Sequence, residues 1–454
     1  MKAGIQIGYA AARLAARLRA RDRVTAPLAA RPSEPGISVV IPSRNGKDLL
    51  AAQMPAVVRE LPAAGEIVVV DNGSDDHTAA WLQSRWRQVR VEVSPEPLSF
   101  ARAVNRGLAS ARYSQVCLLN NDMLLDPGFF QALARAFDQV PGLFCATAQI
   151  RFPAGVRREE TGKAVMAQSH PEDFPLRCDD PLPGEDLTCV LYGSGGCSLY
   201  DAARLRALGG LDAAYAPAYV EDLDLGYRAW QRGWPSVYVA AAGVEHRHRA
   251  TTSRYYTAAE LESILEVNYL KFLARAVASP ATFLRLWTQA VDRLRLRAPR
   301  DAAARRALGE AAEIALAGGP AAPPEISEDL VLALTNGTVW NFPGRFPSTK
   351  PRALVVASSP LVLLGRLRQL AAEADPVLVA FTDTAAAPPA EVLEFSVETV
   401  LVLRSGPLAE AAAQAALQQS ARKWQPATAE LESPQMARFA AACAPARTVL
   451  RAPR

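Results

Sequence analysis

Several short clusters of acidic and amide side chains follow apolar runs, and they contain the residue types that could do chemistry. One of them, Asn120-Asn121-Asp122, comes directly after the apolar residues 116–119. Amide and carboxylate oxygens can hold a hard divalent cation, and such a cation usually shares its coordination shell with substrate phosphates. In isolation such a triplet more often caps a strand and begins a turn. Its functional interpretation therefore depends on what else the chain places beside it.

A second cluster, residues 71–76, reads Asp-Asn-Gly-Ser-Asp-Asp and follows a predicted strand at 66–70. Its carboxylates could accept hydrogen bonds from a ribose or a nucleobase, as acidic residues after βα strands do in nucleotide sites. An Asx turn that leads into a helix accounts equally well for Ser74 and Asp75. It does not account for Asp71, which favours a binding role for that residue.

A third cluster crowds Glu221, Asp222 and Asp224 into the start of a predicted helix. One of these carboxylates could act as a general base, because like-charged neighbours and partial burial raise the pKa of a carboxyl group. The favourable interaction of acidic side chains with a helix N-terminus accounts for one or two of them. The density of the cluster therefore favours a catalytic interpretation.

Two further motifs complete the candidate site. His246 and His248, two of the four histidines of the chain, follow a predicted strand and stand beside Arg247 and Arg249, so they could bind a metal or a phosphate. Residues 193–196, Gly-Ser-Gly-Gly, would let a ligand approach the backbone closely. They do not match a phosphate-binding loop, since neither of the usual glycine-rich spacings is present.

Apolar runs and helical stretches alternate along the chain and must position these motifs. Strands are predicted at 37–41, 66–70, 89–93, 116–120 and 237–241, and helices at 47–61, 77–86, 100–111, 202–208 and 223–232, with loops and an edge strand between 150 and 190. Helix 77–86 is expected to be capped by Ser74 or Asp75. Such alternation is typical of βαβ units and predicts an α/β fold with a doubly wound parallel sheet and right-handed crossovers.

The length of 454 residues predicts two or three domains. Composition and pattern divide the chain into a basic N-terminal helix and linker (1–35), the α/β domain (36–255), a helical segment (256–316), a linker (317–350) and a smaller α/β, Rossmann-like unit (351–454). In the last unit, strands are predicted at 353–357, 377–381 and 397–402 and a helix at 361–372. The basic helix could lie on an anionic membrane surface, although a solvated or docked helix explains it at least as well.

The charge and cysteine content exclude several classes of protein. Acidic and basic residues nearly balance, 46 against 50, so no surface for binding nucleic acid is implied. The six cysteines lack a Cys-x-x-Cys pair and fit reduced, packed thiols, which predicts a cytoplasmic protein. No apolar run approaches the roughly 20 residues that span a bilayer, and no signal-peptide core is present. Any membrane contact is therefore expected to be peripheral, at the inner face of the membrane.

Taken in order, these motifs resemble the family 2 glycosyltransferases, inverting enzymes of the GT-A fold that transfer a sugar from a nucleotide-diphosphate donor. The resemblance covers about residues 37–255 and rests on the segments 39–46, 68–76, 100–107, 118–122, 208–212 and 219–225. It is greatest to the rhamnosyltransferase-like, non-processive members, since the Gln-x-x-Arg-Trp signature of processive synthases is absent. The chain departs from the family pattern at Arg44, where an aromatic residue is common, and at Asn120, where the family has the first Asp of an Asp-x-Asp motif.

The resemblance implies a role for each matched residue. Asp222 would be the catalytic base, and Asp122 and His246 would bind the metal, with His248 as the alternative to His246. Asp71 would contact the nucleobase or the ribose. The implied substrate-binding residues are Pro42, Arg44, Asn45, Asp71, Ser74, Asn105, Asn120, Asn121, Gly195, Gly196, Glu221 and Asp224.

The implied function is that of a non-processive, inverting hexosyltransferase of polysaccharide biosynthesis. It would move a sugar from a UDP- or dTDP-sugar to a glycan or lipid-linked acceptor, with Mn²⁺ or Mg²⁺ as cofactor. The alternatives are a nucleotidyltransferase-like enzyme, disfavoured because a Gly-rich, Lys-bearing N-terminal loop is absent, and a non-catalytic nucleotide-sugar-binding scaffold. Residues 351–357 and 377–382 resemble the start of a family 4, GT-B glycosyltransferase, which implies a truncated accessory unit without catalysis of its own. The oligomeric state is left open.

Overall fold

The computed structural model divides the chain into two compact units. The first contains residues 1–162, 166–180 and 191–328, and the second contains residues 163–165, 181–190 and 329–454. The structure describes residues 11–12, 14, 28–29, 33–140, 142–153, 162–165, 170–179, 181, 186–247, 252–317, 324–325, 328, 331–332, 335, 339–341, 352–357, 375–381, 399–402, 428–431 and 449–451. The predicted N-terminal helix lies outside these residues apart from Ala11, Ala12 and Leu14, which have helical backbone.

The first unit alternates strands and helices up to residue 246 and is helical beyond it. Its strands are β1 (Glu34–Ser43), β2 (Gly65–Asn72), β3 (Val89–Ser94), β4 (Tyr113–Leu119), β5 (Met123–Leu125), β6 (Cys145–Arg151), β8 (Arg177–Asp179), β9 (Cys197–Asp201) and β10 (Ser236–His246), while β7 (Lys163–Val165) is assigned to the second unit. Its helices are α1 (Lys47–Glu60), α2 (Thr78–Arg85), α3 (Phe100–Ser110), α4 (Phe129–Gln139), α5 (Ala202–Ala207), α6 (Glu221–Gln231), α7 (Ala258–Ala276), α8 (Pro280–Arg297) and α9 (Ala302–Leu316). Short 3-10 helices occupy Ala213–Tyr215 and Thr252–Arg254.

The main sheet has the strand order β3-β2-β1-β4-β9-β6-β10-β5. Strands β3, β2, β1 and β4 are parallel to one another, as are β6 and β10, whereas β9 runs antiparallel to both β4 and β6 and β5 runs antiparallel to β10. The predicted α/β class is confirmed, and the sheet is mixed rather than wholly parallel. An antiparallel strand needs no crossover helix, so β5 and β9 could not be recognised from the alternation of strands and helices.

The predicted strands and helices of the first unit are present, with ends that differ by a few residues. The pattern did not predict β5, α4 or β6, which follow one another between residues 123 and 151. Helix α4 begins after Gly128, a residue with a positive φ of 83°. The helical segment predicted at 256–316 is confirmed as α7, α8 and α9. Among the described residues, no helix combines the length and the apolar character needed to cross a membrane.

The core of the first unit lies between the parallel strands and α3. Val40, Val68 and Leu118 project from neighbouring strands into one fully buried cluster that includes Leu108 of α3. Gly107 lets α3 approach the sheet, because a Cβ at this position would lie 2.4 Å from Val40 Cγ1. The strands β1, β2 and β4 are apolar over residues 39–41, 67–70 and 116–119 and reach polar residues at their carboxyl ends.

Helices α7, α8 and α9 are held together by apolar packing and by a buried ion-pair network. Thr257 and Glu260 form a capping box at the start of α7, and Ser279 and Asp301 cap α8 and α9. Glu266 on α7 pairs with Arg293 at 2.6 Å, and both side chains are almost fully buried.

The second unit contains a sheet with the strand order β11-β13-β12-β14-β15-β16, formed by β11 (Val339–Asn341), β12 (Arg352–Ala357), β13 (Asp375–Phe381), β14 (Thr399–Val402), β15 (Thr428–Leu431) and β16 (Val449–Arg451). The strands from β12 to β16 are parallel, and β11 is antiparallel to β13. The strands predicted at 353–357, 377–381 and 397–402 are confirmed, and β15 and β16 extend the sheet. The helix predicted at 361–372 lies outside the described residues, so the Rossmann-like and GT-B-like assignments remain predictions.

The buried ion pair gives a test of the helical segment. Replacing Glu266 by Ala leaves Arg293 buried without its partner, and we expect the free energy of unfolding to fall by about 3–5 kcal/mol. Replacing Glu310, which pairs with Arg306 at the surface, is the matched control and should change it by less than about 1 kcal/mol. Urea denaturation of the two variants measures the difference. Equal losses in both would contradict a structural role for the buried pair.

Candidate active site

A cleft of about 780 Å³ opens at the edge of the main sheet where β1, β2 and β4 end. In open α/β sheets, this carboxyl edge is where ligands bind. The predicted site residues that line the cleft are Pro42, Arg44, Asn120, Asn121, Asp122, Gly195, Gly196, Glu221, Asp222 and His246. The residues predicted as base and as metal ligands therefore face one common space, although Asp122 precedes Asp222 by 100 positions in sequence.

The turn after β4 is fixed by the backbone of Asn120. Its N–H donates to the carbonyl of Gly196 at 2.8 Å. The buried side-chain amide of Gln53, on α1, donates to the carbonyls of Asn120 and of Met123. The carbonyl of Gly196 and the Gln53 side chain of α1 thus fix the turn. A Cβ at position 196 would lie 2.5 Å from the Asn120 amide nitrogen. This close approach explains why glycine stands at position 196.

Asp122 and His246 form a buried polar pair in the cleft. Asp122 Oδ1 lies 3.6 Å from His246 Nε2, and the residues are only 6% and 8% exposed. Asp122 Oδ1 is buried and has no hydrogen-bond partner. Beside it, the Asn121 amide donates to Ser43 Oγ at 2.9 Å. The ring of Phe152 stacks on His246 with 6.5 Å between ring centroids.

This pair fits a divalent cation. A buried carboxylate oxygen without a partner carries a desolvation cost that a bound cation would offset. Within the described ranges, no group of three or more His, Cys, Asp or Glu residues could hold a metal on its own. A cation at Asp122 and His246 would therefore need further oxygen ligands, such as substrate phosphates and water. His248, the alternative ligand from sequence, lies outside the described residues.

Asp222 is half-buried at the start of α6 and is oriented by backbone N–H groups. Its Oδ2 accepts a hydrogen bond from Gly195 N–H at 3.1 Å, and its Oδ1 accepts one from Leu223 N–H at 2.8 Å. A Cβ at Gly195 would lie 3.5 Å from the Asp222 side chain, so this glycine brings the backbone against the carboxylate. The carboxylate is thus held in one orientation at the wall of the cleft.

Glu221 provides a second carboxyl group with a different environment. It is 5% exposed, and its Oε2 has no hydrogen-bond partner. Burial, and then the negative charge of Asp222, raise the pKa of Glu221 to about 8. Burial therefore favours the neutral form of Glu221 at neutral pH, whereas the adjacent Asp222 is half-buried and its carboxyl group accepts two backbone hydrogen bonds.

The loop that leads into α6 contains two consecutive residues in the left-handed region. Tyr219 has φ 74° and Val220 has φ 78°. A β-branched residue in this region is a genuine outlier, and each such residue costs of order 1–3 kcal/mol. Both side chains line the cleft and directly precede Glu221 and Asp222. The strain is located where the surrounding structure fixes the acidic pair.

Asn45, Ser74 and Asp71 join two loops and do not form part of the cleft lining. Asn45 N–H donates to Ser74 Oγ at 2.9 Å, and Asp75 N–H donates to Asn45 Oδ1 at 2.8 Å. Asp71 is buried and accepts a hydrogen bond from Ser74 N–H at 3.2 Å. Its neighbour Asn72 lines the cleft instead. The substrate-binding roles of Asn45, Asp71 and Ser74 remain predictions. In the structure their hydrogen bonds connect the loop after β1 to the loop after β2.

The predicted cap of α2 by Ser74 or Asp75 is wrong. The helix begins after His77, which has φ 62° and makes no side-chain capping hydrogen bond. Asp76 Oδ1 accepts the N–H of Thr78 at 3.0 Å. Ser74 Oγ accepts the N–H of Asn45 instead, so the side chain that accepts a hydrogen bond from the first turn of α2 is that of Asp76.

Asn105 and Asp224 also have partners away from the cleft lining. Asn105, on α3, donates to the carbonyl of Leu211 at 2.8 Å and accepts its N–H at 3.0 Å. Asp224 accepts a hydrogen bond from Tyr215 Oη at 3.0 Å and pairs with Arg228 at 2.7 Å. Both side chains thus support the 208–228 region, and the substrate-binding roles expected for them remain predictions.

The sequence did not single out the aromatic residues of the cleft. The guanidinium of Arg44 lies 4.0 Å from the centre of the Tyr255 ring, and Arg44 Nε is buried without a hydrogen-bond partner. Further rings in the lining are Phe100, Phe174, Tyr192, Tyr219, Tyr256 and Tyr269. The adjacent tyrosines 255 and 256, just before a capping box, were the one local signal. The other rings come from segments whose proximity depends on the tertiary fold.

The chain is similar to known glycosyltransferases. Residues 35–260 match the family model described as glycosyltransferase like family 2. The chain is 28% identical over 212 residues to the N-acetylglucosaminyl-diphospho-decaprenol L-rhamnosyltransferase of Mycobacterium tuberculosis. The aligned region covers 41% of this chain and 68% of the relative.

Two other proteins are also similar to the chain. An uncharacterised glycosyltransferase of Mycobacterium bovis is 32% identical over 154 residues, which cover 33% of this chain and 64% of the relative, just under two thirds of its length. A mannosyltransferase of Pyrobaculum calidifontis, solved in complex with GDP-Man and Mn²⁺, has 16% identity and a TM-score of 0.40, covering 69% of this chain and 89% of that chain.

The raised pKa of Glu221 predicts a pH dependence of stability. The folded state keeps a proton on Glu221 up to about pH 8, whereas the unfolded chain loses it near its ordinary value of 4.5. The contribution of the Glu221 carboxyl group to the free energy of unfolding therefore decreases as the pH rises from about 5 to about 8. We expect Glu221→Gln, which stays neutral, to gain stability relative to the unchanged protein over that window, by of order 1–3 kcal/mol at its upper end. Denaturant curves at several pH values measure this, and parallel curves for the two proteins would contradict it.

Proposed function

We propose, from the premise that the chain belongs to glycosyltransferase family 2 through its residues 35–260, that it is a non-processive, inverting glycosyltransferase. The observation that carries the proposal is the presence of two different acidic groups in one cleft. Asp222 has its carboxylate oriented by backbone N–H groups, and Asp122 has a buried, unpartnered oxygen beside His246. The first arrangement suits a base, and the second suits a cation that neutralises a diphosphate.

The reaction is a single in-line displacement. Asp222 accepts the proton from an acceptor hydroxyl, and the acceptor oxygen forms a bond to the anomeric carbon of the donor sugar. The bond between that carbon and the diphosphate oxygen breaks at the same time, so the configuration inverts and the nucleoside diphosphate leaves. Glu221 stays protonated because of its burial, so it does not compete as base below about pH 8.

A divalent cation, Mn²⁺ or Mg²⁺, would be held by Asp122 and His246 and would supply positive charge for the departing diphosphate. The chain itself contributes orientation. Asn121 and Ser43 fix the turn that presents Asp122, and Gly196 fixes Asn120 beside it. Arg44, stacked on Tyr255 with its Nε unpartnered, provides a further positive group for an anionic donor.

For the substrates, we propose a UDP- or dTDP-sugar as donor and a glycan or lipid-linked sugar as acceptor. Two observations support this class. The relative from Mycobacterium tuberculosis is named as a rhamnosyltransferase of a diphospho-decaprenol-linked sugar. The cleft also has several aromatic rings on its lining, which provide apolar surface with hydroxyl groups at its border.

The role of Asp222 is tested by Asp222→Asn. The substitution keeps the shape of the side chain and removes its basicity, so we expect kcat to fall by roughly 10²–10⁴-fold. A base acts in the transition state, so the dissociation constant of the nucleoside diphosphate should change little. Transfer assays and calorimetric titration with UDP and dTDP measure the two quantities. Full turnover in this variant would remove Asp222 from the role of base, and pyrophosphate release from a nucleoside triphosphate and a sugar phosphate would indicate a nucleotidyltransferase instead.

The metal site is tested by Asp122→Ala without recourse to activity. We expect Mn²⁺ together with UDP or dTDP to raise the melting temperature of the unchanged protein and to leave that of the variant nearly unaltered, since ligand binding stabilises by mass action. Asp126→Ala is the matched control, because Asp126 lies nearby and pairs with Arg151 instead of lining the cleft. An equal shift in melting temperature for Asp122→Ala and the unchanged protein would contradict the assignment.

A further inference from the structure

Helix α7 makes a set of polar contacts with the loop that leads to Asp222. Arg275 pairs with Asp212 at the start of this loop. Lys271 Nζ donates to the carbonyl of Ala214 at 3.1 Å. Asn268, one turn before Lys271 on α7, contacts the later part of the loop. The helix therefore contacts the loop 212–219 at both its ends and in its middle.

Asn268 is the central residue of this set. Its side-chain amide donates to the carbonyls of Tyr215 at 2.8 Å, Ala218 at 3.0 Å and Tyr219 at 3.2 Å. An amide group has only two hydrogens, so three carbonyls that converge on it share them. Its Oδ1 accepts a hydrogen bond from Lys271 Nζ at 3.1 Å, and the residue is 1% exposed. The amide orientation is therefore determined on both its donor and its acceptor sides.

One of the contacted carbonyls belongs to the strained part of the loop. Tyr219 and Val220 have positive φ values of 74° and 78°, and a non-glycine residue holds such a backbone only when its surroundings fix it. Asn268 donates to the carbonyl of Tyr219, one of these two residues. Asp222 follows two residues after Val220, and its carboxyl group accepts hydrogen bonds from the N–H groups of Gly195 and Leu223. The position of the Asp222 carboxyl group thus depends on the loop that precedes it as well as on these two N–H groups.

We infer that Asn268 is a positioning residue that sets the place of the Asp222 carboxylate for proton transfer, acting through the backbone of the 215–219 loop. The inference rests on the proposed role of Asp222 as base. Asn268 lies beyond residues 35–260, the part of the chain that matches the family model. The helical segment is thereby a component of the catalytic apparatus as well as a packing element.

The chain offers a matched control for a merely structural effect. Gln231, at the other end of α6, is also buried, and its amide donates to the carbonyl of Ala276 on α7 at 2.8 Å. Both amides therefore join α7 to α6 or to its preceding loop. Gln231 lies ten residues after Glu221, which is about 15 Å along the helix. Loss of either amide removes comparable buried hydrogen bonds, but only Asn268 is next to the acidic pair.

The experiment compares Asn268→Asp and Asn268→Ala with Gln231→Ala. Asp has the shape of Asn and lacks the amide hydrogens, so it cannot donate to the three carbonyls. We expect the Asn268 variants to lower kcat by roughly 10–100-fold per folded molecule, since small displacements of a catalytic group cost rates of this size. The dissociation constant for UDP or dTDP and the donor KM should stay within about twofold. Gln231→Ala should lower the melting temperature to a similar extent and leave kcat unchanged.

A second variant keeps the test decisive if the Asn268 variants do not fold. Lys271→Met removes the donor to Asn268 Oδ1 and to Ala214 from a partly exposed site, and it should lower kcat in the same direction by roughly 3–10-fold. Unchanged kcat in Lys271→Met and in every folded Asn268 variant, with Asp222→Asn inactive, would overturn the inference alone. Equal losses of kcat in Gln231→Ala and the Asn268 variants would overturn it as well. Full turnover in Asp222→Asn would overturn the proposed function itself.

Discussion

Strands β1, β2 and β4 are apolar and buried over the residues that lead to their carboxyl ends, 39–41, 67–70 and 116–119, so polar side chains face the ligand-binding edge only where the strands end. In a parallel arrangement these ends share one edge of the sheet. Ser43, Asn72 and Asn120 all follow from this constraint, and so does the cleft that they border. The antiparallel strand β9 returns to the same edge with the glycines that precede it, and β10 ends there with His246. The location of the site is thus a consequence of how the core excludes water.

The same constraint gives adjacent acidic groups different environments. Side chains at the edge are partly covered by loops, and each carboxyl group has a different balance of burial and hydrogen bonding. Glu221 is buried with an oxygen that has no hydrogen-bond partner, and its pKa is raised, whereas the carboxyl group of Asp222 accepts two backbone hydrogen bonds. Burial therefore favours the neutral form of Glu221, while the backbone orients Asp222.

The sequence was sufficient to predict the fold class and several residues that line the cleft: Asp122 and His246, which follow predicted strands, and Asp222, at the start of a predicted helix. It was insufficient where a polar residue has a distant partner. Asn105 binds the backbone of Leu211, 106 residues away, and nothing near Asn105 in sequence indicates this. Asn and Asp side chains serve equally in turns, loop ties and binding sites. Asn268 is a comparable case, since a polar residue inside an apolar helix carries no local sign of its partners. The elements β5, α4 and β6 were missed because a short antiparallel strand breaks the regular alternation.

Helix α7 also begins at the cleft, and this has a consequence for how the two substrates are bound. Tyr255, three residues before α7, stacks on Arg44 from the loop after β1, and Arg254 pairs with Asp48 at the start of α1. The middle of the same helix contacts the loop before Asp222. The segment 254–276 therefore contacts both walls of the cleft and, under the proposed function, provides a physical route for cooperativity. If a donor that orders Arg44 and Tyr255 strengthens acceptor binding, thermodynamic linkage requires the acceptor to strengthen donor binding by the same factor.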